Sequence, residues 1–261
     1  MRNLKVLLID LDGTLYFKGK KITGADRCIE ELRGMGFILR FLSNTDSKSI
    51  STIQKNLAFM GLALIEQEIF TPVTALKLFA EQQKGKTFRL LLSKDLLNAL
   101  QDSIPTSQDT PDYVVVGDIR ESVNYDMLDK AFRLIMSGAN IIAMQKGRYF
   151  MATDGYHIDT GAFVSLLEYA SSKNALVLGK PSKEFFEMAL YGTGYGPDQS
   201  IIVGDDISTD IFGARIIGSR SILVRTGKFN ENDLAMSNEK PDLIVDSVTD
   251  LPNILRSLGN A

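Results

Sequence analysis

Short apolar runs rich in Val, Ile and Leu alternate along this chain with longer stretches of helical spacing, the pattern of a parallel sheet covered by helices. The runs Leu4–Asp10, Phe37–Ser43, Leu176–Leu178, Ser200–Gly204, Ser221–Val224 and Leu243–Val245 are the expected core strands. Between the first two, Thr23 or Asp26 can open a helix through Leu32 that Gly34 and Gly36 end, which completes a βαβ unit of ordinary length. Ile50, Ile53, Leu57 and Met60 recur at helical spacing until Gly61. Thr71-Pro72 then starts a helix carrying Ala75, Leu76 and Phe79, with proline where a first turn tolerates it. The expected fold class is α/β, a Rossmann-like doubly wound parallel sheet.

After Gly85 the pattern restarts. Phe88–Ser93, Tyr113–Val116 and Asn140–Met144 read as strands, and Arg148–Ile158 as a hairpin around Asp154-Gly155. Helices fit Asp95–Gln101, Met127–Met136 and Ala162–Ser171. An insertion of this size is too long for a loop and suits a small second domain. The expected division is a core of residues 1–80 and 179–261, interrupted by an α/β domain of residues 81–178.

Composition narrows the function classes. The 29 basic residues are outnumbered by 32 acidic ones and form no Lys/Arg block, so nucleic acid is not an expected partner. The run Val6–Ile9 ends at Asp10, too soon for a signal core, and no apolar stretch approaches the roughly 18 residues a bilayer span needs, so no membrane association is expected. Cys28 is the single cysteine, which excludes an internal disulfide and fits a reducing compartment, with the cytoplasm as default. No regular repeat is present.

Four segments follow predicted strands, where open parallel sheets bind ligands. The first, Asp10-Leu11-Asp12-Gly13-Thr14, places two carboxylates at i and i+2, so that one can attack and the other move protons, while Gly13 permits a sharp turn; Asp-Gly alone would also make a simple turn. In the second, Ser43-Asn44-Thr45, a hydroxyl and adjacent amides can hold phosphate oxygens, although a plain helix cap looks the same. The third, Gly179-Lys180-Pro181-Ser182, holds Lys180 at a helix entrance, where its ammonium can neutralise a carboxylate and a phosphate together; the alternative is a solvated loop lysine. The fourth carries Asp205, Asp206 and Asp210, which repel one another unless a cation or strong hydrogen bonds compensate. Hard oxygen ligands in small number suit Mg²⁺, and a helix N-cap cluster containing Asp210 is the alternative. One shared site explains all four segments more simply than four coincidences.

Read in order, Asp10–Thr14, Ser43–Thr45, Gly179–Pro181 and Gly204–Asp210 resemble the four signature motifs of the haloacid dehalogenase-like hydrolases. The insertion resembles the C2-type cap of the NagD and 4-nitrophenylphosphatase subfamily, and the likeness covers nearly the whole chain. Segments outside the motifs, Ala131–Leu134, Lys146–Tyr149, Leu167–Ala170 and Thr226-Gly227-Lys228, speak to subgroup. The resemblance implies a phosphatase acting on a small phosphorylated metabolite. Asp10 would be the nucleophile that carries the phosphoryl group, and Asp12 the general acid and base. Ser43, Asn44 and Lys180 would hold the phosphoryl oxygens. Asp10, the Asp12 backbone carbonyl and Asp205 would bind Mg²⁺, with Asp206 or Asp210 behind them. The cap would close over the site and select the substrate through Lys146–Tyr149 or Asp154–Gly161. C2 caps of this family can mediate dimers, so a homodimer is one expectation.

Other readings stay open: a phosphate-binding protein with the fold but little turnover, a phosphotransferase, or a receiver-type phosphoacceptor, although the last does not accommodate so large an insertion. His157, the only histidine, reads as a surface or hairpin residue, and Cys28 as packing.

Overall fold

The computed structural model describes residues 4–259. The outermost residues of the expected core, 1–3 and 260–261, lie outside these. Two compact units emerge: one contains residues up to 43, 51–70 and 180 onward, the other residues 44–50 and 71–179.

The first unit is built on a six-stranded sheet in the order Leu243–Val245, Arg220–Val224, Ser200–Gly204, Val6–Asp10, Ile38–Leu42, Ile69–Phe70, with every neighbouring pair parallel. Val6–Asp10 and Ser200–Gly204 are buried along their whole lengths, which explains their continuous apolar character. The chain moves outward from Val6–Asp10 in one direction, then returns to lay Ser200–Gly204 on its other side. The switch in strand order therefore lies between these two strands, and a crevice at their carboxyl ends is where such sheets bind ligands.

Flanking helices follow the expected caps in part. Ala25–Gly34 begins after Gly24, not at Thr23 or Asp26, and the chain turns away through Gly36 at φ +85°. Its Cys28 is buried, the thiol donating to the Val248 carbonyl at 3.1 Å, and burial pushes its pKa up to about 12, so it packs and does not react. Ile50–Phe59 is followed by Gly61 at φ +79°. Lys183–Leu190 is capped by Ser182, whose Oγ accepts from the Phe185 amide at 3.3 Å. Phe185 and Phe186 anchor this helix in the core, Phe185 meeting Phe70 edge-on at 5.2 Å.

The second unit has a four-stranded parallel sheet in the order Leu176–Val177, Asn140–Ala143, Tyr113–Val116, Phe88–Leu91. Tyr149–Ala152 and Gly155–Ile158 form the expected hairpin. Helices Pro72–Gln82, Lys94–Leu100, Tyr125–Met136 and Thr160–Ser171 start at Thr71, Ser93, Asn124 and Asp159, whose side chains each accept a backbone N–H of the first turn. His157 is exposed, 2.8 Å from Asp154 and stacked on Phe150, as a hairpin residue would be.

Three expectations need correction. Leu176–Val177 pairs with Asn140–Ala143 in the second unit's sheet, not in the main sheet, because a short apolar run carries no information about which sheet completes it. Ile69–Phe70, too short to read as a strand, forms an edge of the main sheet. Residues 44–50 and 71–80, expected in the core, group with the second unit. The Thr160 hydroxyl donates to buried Asp46 at 2.6 Å, and the Ser49 amide donates to Asp95 at 2.7 Å, contacts between residues far apart in sequence.

Asp46 gives this unit a testable pH dependence. Burial pushes its pKa up to about 7; the Thr160 hydrogen bond opposes this, and nearby Asp159 and Asp118 add to it. The folded state thus keeps a proton that the unfolded chain releases near 3.8, so stability falls as pH rises through this window. Asp46→Asn is expected to flatten the pH 4–7 profile of urea unfolding and to be more stable than wild type at pH 8, by on the order of 1–3 kcal/mol. An unchanged pH 4–7 slope would show that Asp46 ionises normally.

Candidate active site

Asp10 is the last residue of Val6–Asp10 and pairs with Leu42, so its side chain emerges at the carboxyl end beside the switch in strand order. The chain then turns sharply. Gly13, at φ +98°, donates its N–H to the Tyr16 carbonyl at 2.7 Å, and Leu15 donates to Leu11 at 2.9 Å. Tyr16–Phe17 and Lys20–Lys21 form a small antiparallel hairpin that the periodicity did not reveal. Asp12, at the start of this turn, opens to solvent.

Asp205 follows Ser200–Gly204, the strand on the other side of the switch. Asp206 caps the next turn, its Oδ1 accepting the Ser208 amide at 2.8 Å and hydroxyl at 2.6 Å. Residues Ile207–Ile211 form a single π-helical turn, a conformation common at functional sites, and it carries Asp210 into the interior. Asp210 packs so tightly on Gly204 that an added Cβ there would overlap its carboxylate. Lys180, ahead of the helix Lys183–Leu190, is buried, and its Nζ donates to Asp10 Oδ1 and, at 2.8 Å, to Asp210 Oδ1.

Asp10, Asp205 and Asp210 each offer a carboxylate oxygen within 4.8 Å of the others, all three buried. Asp206 lies outside this trio and Asp210 inside it. Ser43 is buried one residue beyond the strand that pairs with Asp10, its N–H donating to the Phe70 carbonyl at 3.1 Å. Asn44 belongs to the second unit, where its side chain lies against Gly179.

The electrostatics follow from crowding three carboxylates around one buried ammonium. Burial raises the pKa of Asp10, Lys180 opposes it, and Asp205 and Asp12 add to it. Burial likewise lifts Asp205, and it lifts Asp210 to about 7. Burial works against the charge of Lys180, but Asp10 and Asp210 more than offset it and keep the ammonium protonated. Although Asp12 reaches solvent, the protein around it strips part of its hydration and raises its pKa, partly countered by Lys228 and Lys180.

Whether a divalent cation fits can be judged from the atoms present. Asp10 Oδ2 is buried and, among the described residues, has no hydrogen-bond partner, an arrangement that costs free energy unless something else satisfies the oxygen. The donor set that Asp10 forms with Asp205 and Asp210 is entirely hard carboxylate oxygen with excess negative charge. Such a set fits a divalent cation of the Mg²⁺ kind.

In the sequence Thr226-Gly227-Lys228 reads only as a subgroup marker. In the structure these residues follow the carboxyl end of Arg220–Val224 and touch both the Gly13 carbonyl and Asp205. Their place just after the carboxyl end of a parallel strand, where such sheets bind ligands, is the signal in the sequence that marks them.

A doubly wound parallel sheet with three buried carboxylates and a fixed lysine at its switch point is the arrangement of an α/β enzyme that binds its ligand at the carboxyl ends of the strands. Comparison with known proteins places it further. A haloacid dehalogenase-like hydrolase family model matches residues 7–103, and an HAD-hydrolase-like model matches residues 177–251. Haloacid dehalogenase-like hydrolase domain-containing protein 2 of Pongo abelii is 39% identical over 246 residues, covering 94% of this chain and 93% of that protein. Phospholysine phosphohistidine inorganic pyrophosphate phosphatase of Homo sapiens is 33% identical, covering 98% and 95%. The p-nitrophenyl phosphatase from Archaeoglobus fulgidus superposes with a TM-score of 0.89 at 26% identity, over 97% of this chain and 99% of that one. The chain belongs to the haloacid dehalogenase-like hydrolases, in the subfamily of NagD and the p-nitrophenyl phosphatases, and is an enzyme of the phosphatase type. Among the described residues no helix is long and apolar enough to cross a membrane.

Proposed function

We propose that this enzyme is a magnesium-dependent phosphatase that hydrolyses a small phosphomonoester through an aspartyl-phosphate on Asp10. The observation that carries the proposal is the Asp10 carboxylate itself: Oδ1 held by Lys180, Oδ2 buried without a hydrogen-bond partner among the described residues, in a residue grouped with Asp205 and Asp210.

In this reading an Asp10 oxygen attacks phosphorus as the ester P–O bond breaks, and Asp12 passes its proton to the departing oxygen. Asp12 then takes a proton from water, whose oxygen attacks phosphorus, releases inorganic phosphate and regenerates the Asp10 carboxylate. Lys180, fixed between Asp10 and Asp210, supplies positive charge to the phosphoryl oxygens with no reorganisation at the moment of reaction. Ser43, one residue beyond the strand paired with Asp10, donates to the same oxygens. Asp10, the Asp12 carbonyl and Asp205 would hold Mg²⁺, with Asp206 and Asp210 in support, although the buried trio leaves Asp210 available to it directly. Bound there, Mg²⁺ offsets the charge of the carboxylates and of the phosphoryl group. The single buried cysteine is compatible with work in the cytoplasm.

The test is phosphate release from 4-nitrophenyl phosphate and a panel of small phosphorylated metabolites, with and without Mg²⁺. Turnover is expected with Mg²⁺ and is expected to vanish in excess EDTA and return on adding Mg²⁺. Equal rates in EDTA would remove the metal from the mechanism. Release of 4-nitrophenol without a matching amount of inorganic phosphate, and only in the presence of an acceptor alcohol, would assign transfer in place of hydrolysis.

A further inference from the structure

Asp205 is held in an unusual way for a side chain at a strand end. Its Oδ2 accepts the Lys228 backbone N–H at 2.6 Å and lies between two glycines, Gly13 at φ +98° and Gly227 at φ +63°. A Cβ added at either glycine would overlap this oxygen, and one at Gly227 would also overlap the Gly13 Cα. The Thr226 hydroxyl donates to the Gly13 carbonyl, which joins the loop to the turn carrying Asp12. Neither glycine tolerates a side chain, for reasons of both space and backbone conformation.

We infer that Thr226-Gly227-Lys228 is a positioning strap for the cation site: it fixes one oxygen of Asp205 and the Gly13 turn, leaving the second Asp205 oxygen to face the cation. The inference rests on the proposed role of Asp205 as a cation ligand. Groups that orient a ligating carboxylate usually cost about 10- to 100-fold in metal affinity when lost. These three residues lie outside the four segments that carry the chemistry, and their contribution is positional: a missing side chain, one hydroxyl and one backbone amide. Lys228 takes part through its N–H, while its ammonium stands 3.6 Å from Asp206.

The experiment measures Mn²⁺ binding to the metal-free full-length chain by loss of the free-ion electron paramagnetic resonance signal, so that turnover is not the readout. Gly227→Ala is expected to weaken Mn²⁺ binding by about 10- to 100-fold. Thr226→Val is expected to weaken it to a lesser degree, and Thr226→Ser to restore it. Melting temperatures of the metal-free variants are read alongside. Wild-type affinity in both Gly227→Ala and Thr226→Val overturns the strap. Should Gly227→Ala not fold, the Thr226 pair decides: a weakened Val and a normal Ser variant support the strap, and Val at wild-type affinity overturns it. Equal losses in Val and Ser, tracking melting temperature, also overturn it by assigning these residues to stability alone. Asp205→Asn serves as the separate check on the site: if it binds Mn²⁺ like wild type, the ligand assignment fails, whereas its loss with an unaffected Gly227→Ala removes only the strap.

Discussion

Asp10→Asn is expected to lower turnover of 4-nitrophenyl phosphate by roughly 10⁴- to 10⁶-fold, the scale on which removal of a covalent nucleophile acts. The amide is nearly isosteric and can still accept from Lys180, so the fold should persist. Stability should change in the opposite direction to activity. In the metal-free protein Asp10 and Asp210 share one buried ammonium with Asp205 close by, and burial raises the pKa of each carboxyl. Each holds in the folded state a proton that the unfolded chain gives up near 3.8, so each weakens folding as pH rises through its raised pKa. Removing one of the three charges should raise the melting temperature without metal at pH 8 and reduce the stabilisation Mg²⁺ provides. A variant that is inactive but melts below wild type under these conditions would mean that Asp10 contributes to the fold and not to a charge conflict. A variant with wild-type turnover would end its assignment as the nucleophile.

Lys180→Met is expected to damage both activity and stability. The ammonium is the only cation within hydrogen-bond reach of Asp10 and Asp210 among the described residues. Methionine matches its length and flexibility, but its thioether cannot donate. Breaking a buried pair by removing one partner costs about 3–5 kcal/mol, because the remaining charge is left uncompensated. Here two carboxylates lose their partner, and their pKa values, already raised by burial, rise further. The folded variant therefore binds protons that the unfolded chain releases, and its loss of stability should deepen between pH 5 and pH 8. At saturating Mg²⁺ turnover should fall by about 10²- to 10³-fold, the scale for removing one preorganised electrostatic group. Urea unfolding at pH 5 and pH 8 with parallel assays checks both parts. A pH-independent stability loss would point to packing as the role of Lys180. Unchanged turnover would remove it from the reaction.

Together the two variants separate what the site does from what it costs. Asp10→Asn trades activity for stability, whereas Lys180→Met forfeits both. The difference arises because the site holds more negative charge than its lysine can neutralise, an imbalance that a divalent cation relieves.

Much of this arrangement was legible in the residues alone. The apolar runs ending at Asp10 and Gly204 became fully buried neighbouring strands, because a strand covered on both faces must be apolar throughout. Thr71 before Pro72 capped a helix as expected, since that cap needs only a side-chain oxygen and the next few amides. Lys180 and Asp205 meet the Asp10 neighbourhood because each follows a strand or begins a helix at the same end of the sheet. Elements whose partners lie elsewhere were not legible. Leu176–Val177 looks like any short apolar run, and only the packing around Asn140–Ala143 decides that it joins the second sheet. Residues 44–50 group with the second unit through Thr160 and Asp95, more than forty positions away in each case.

The class of chemistry was legible before any folding, because the carboxylates, the lysine and the turn-forming residues at strand ends stand in local segments that resemble the signature motifs of a known family. Only the tertiary structure decided which carboxylates form the trio. Asp206 caps a turn while Asp210, four residues later, reaches the interior, and that choice depends on a π-helical turn packed against Gly204. The same holds for the slot around Asp205: two glycines 214 positions apart in the chain enclose one oxygen. Such closeness arises from the summed packing of the whole sheet, a quantity no local stretch of residues contains.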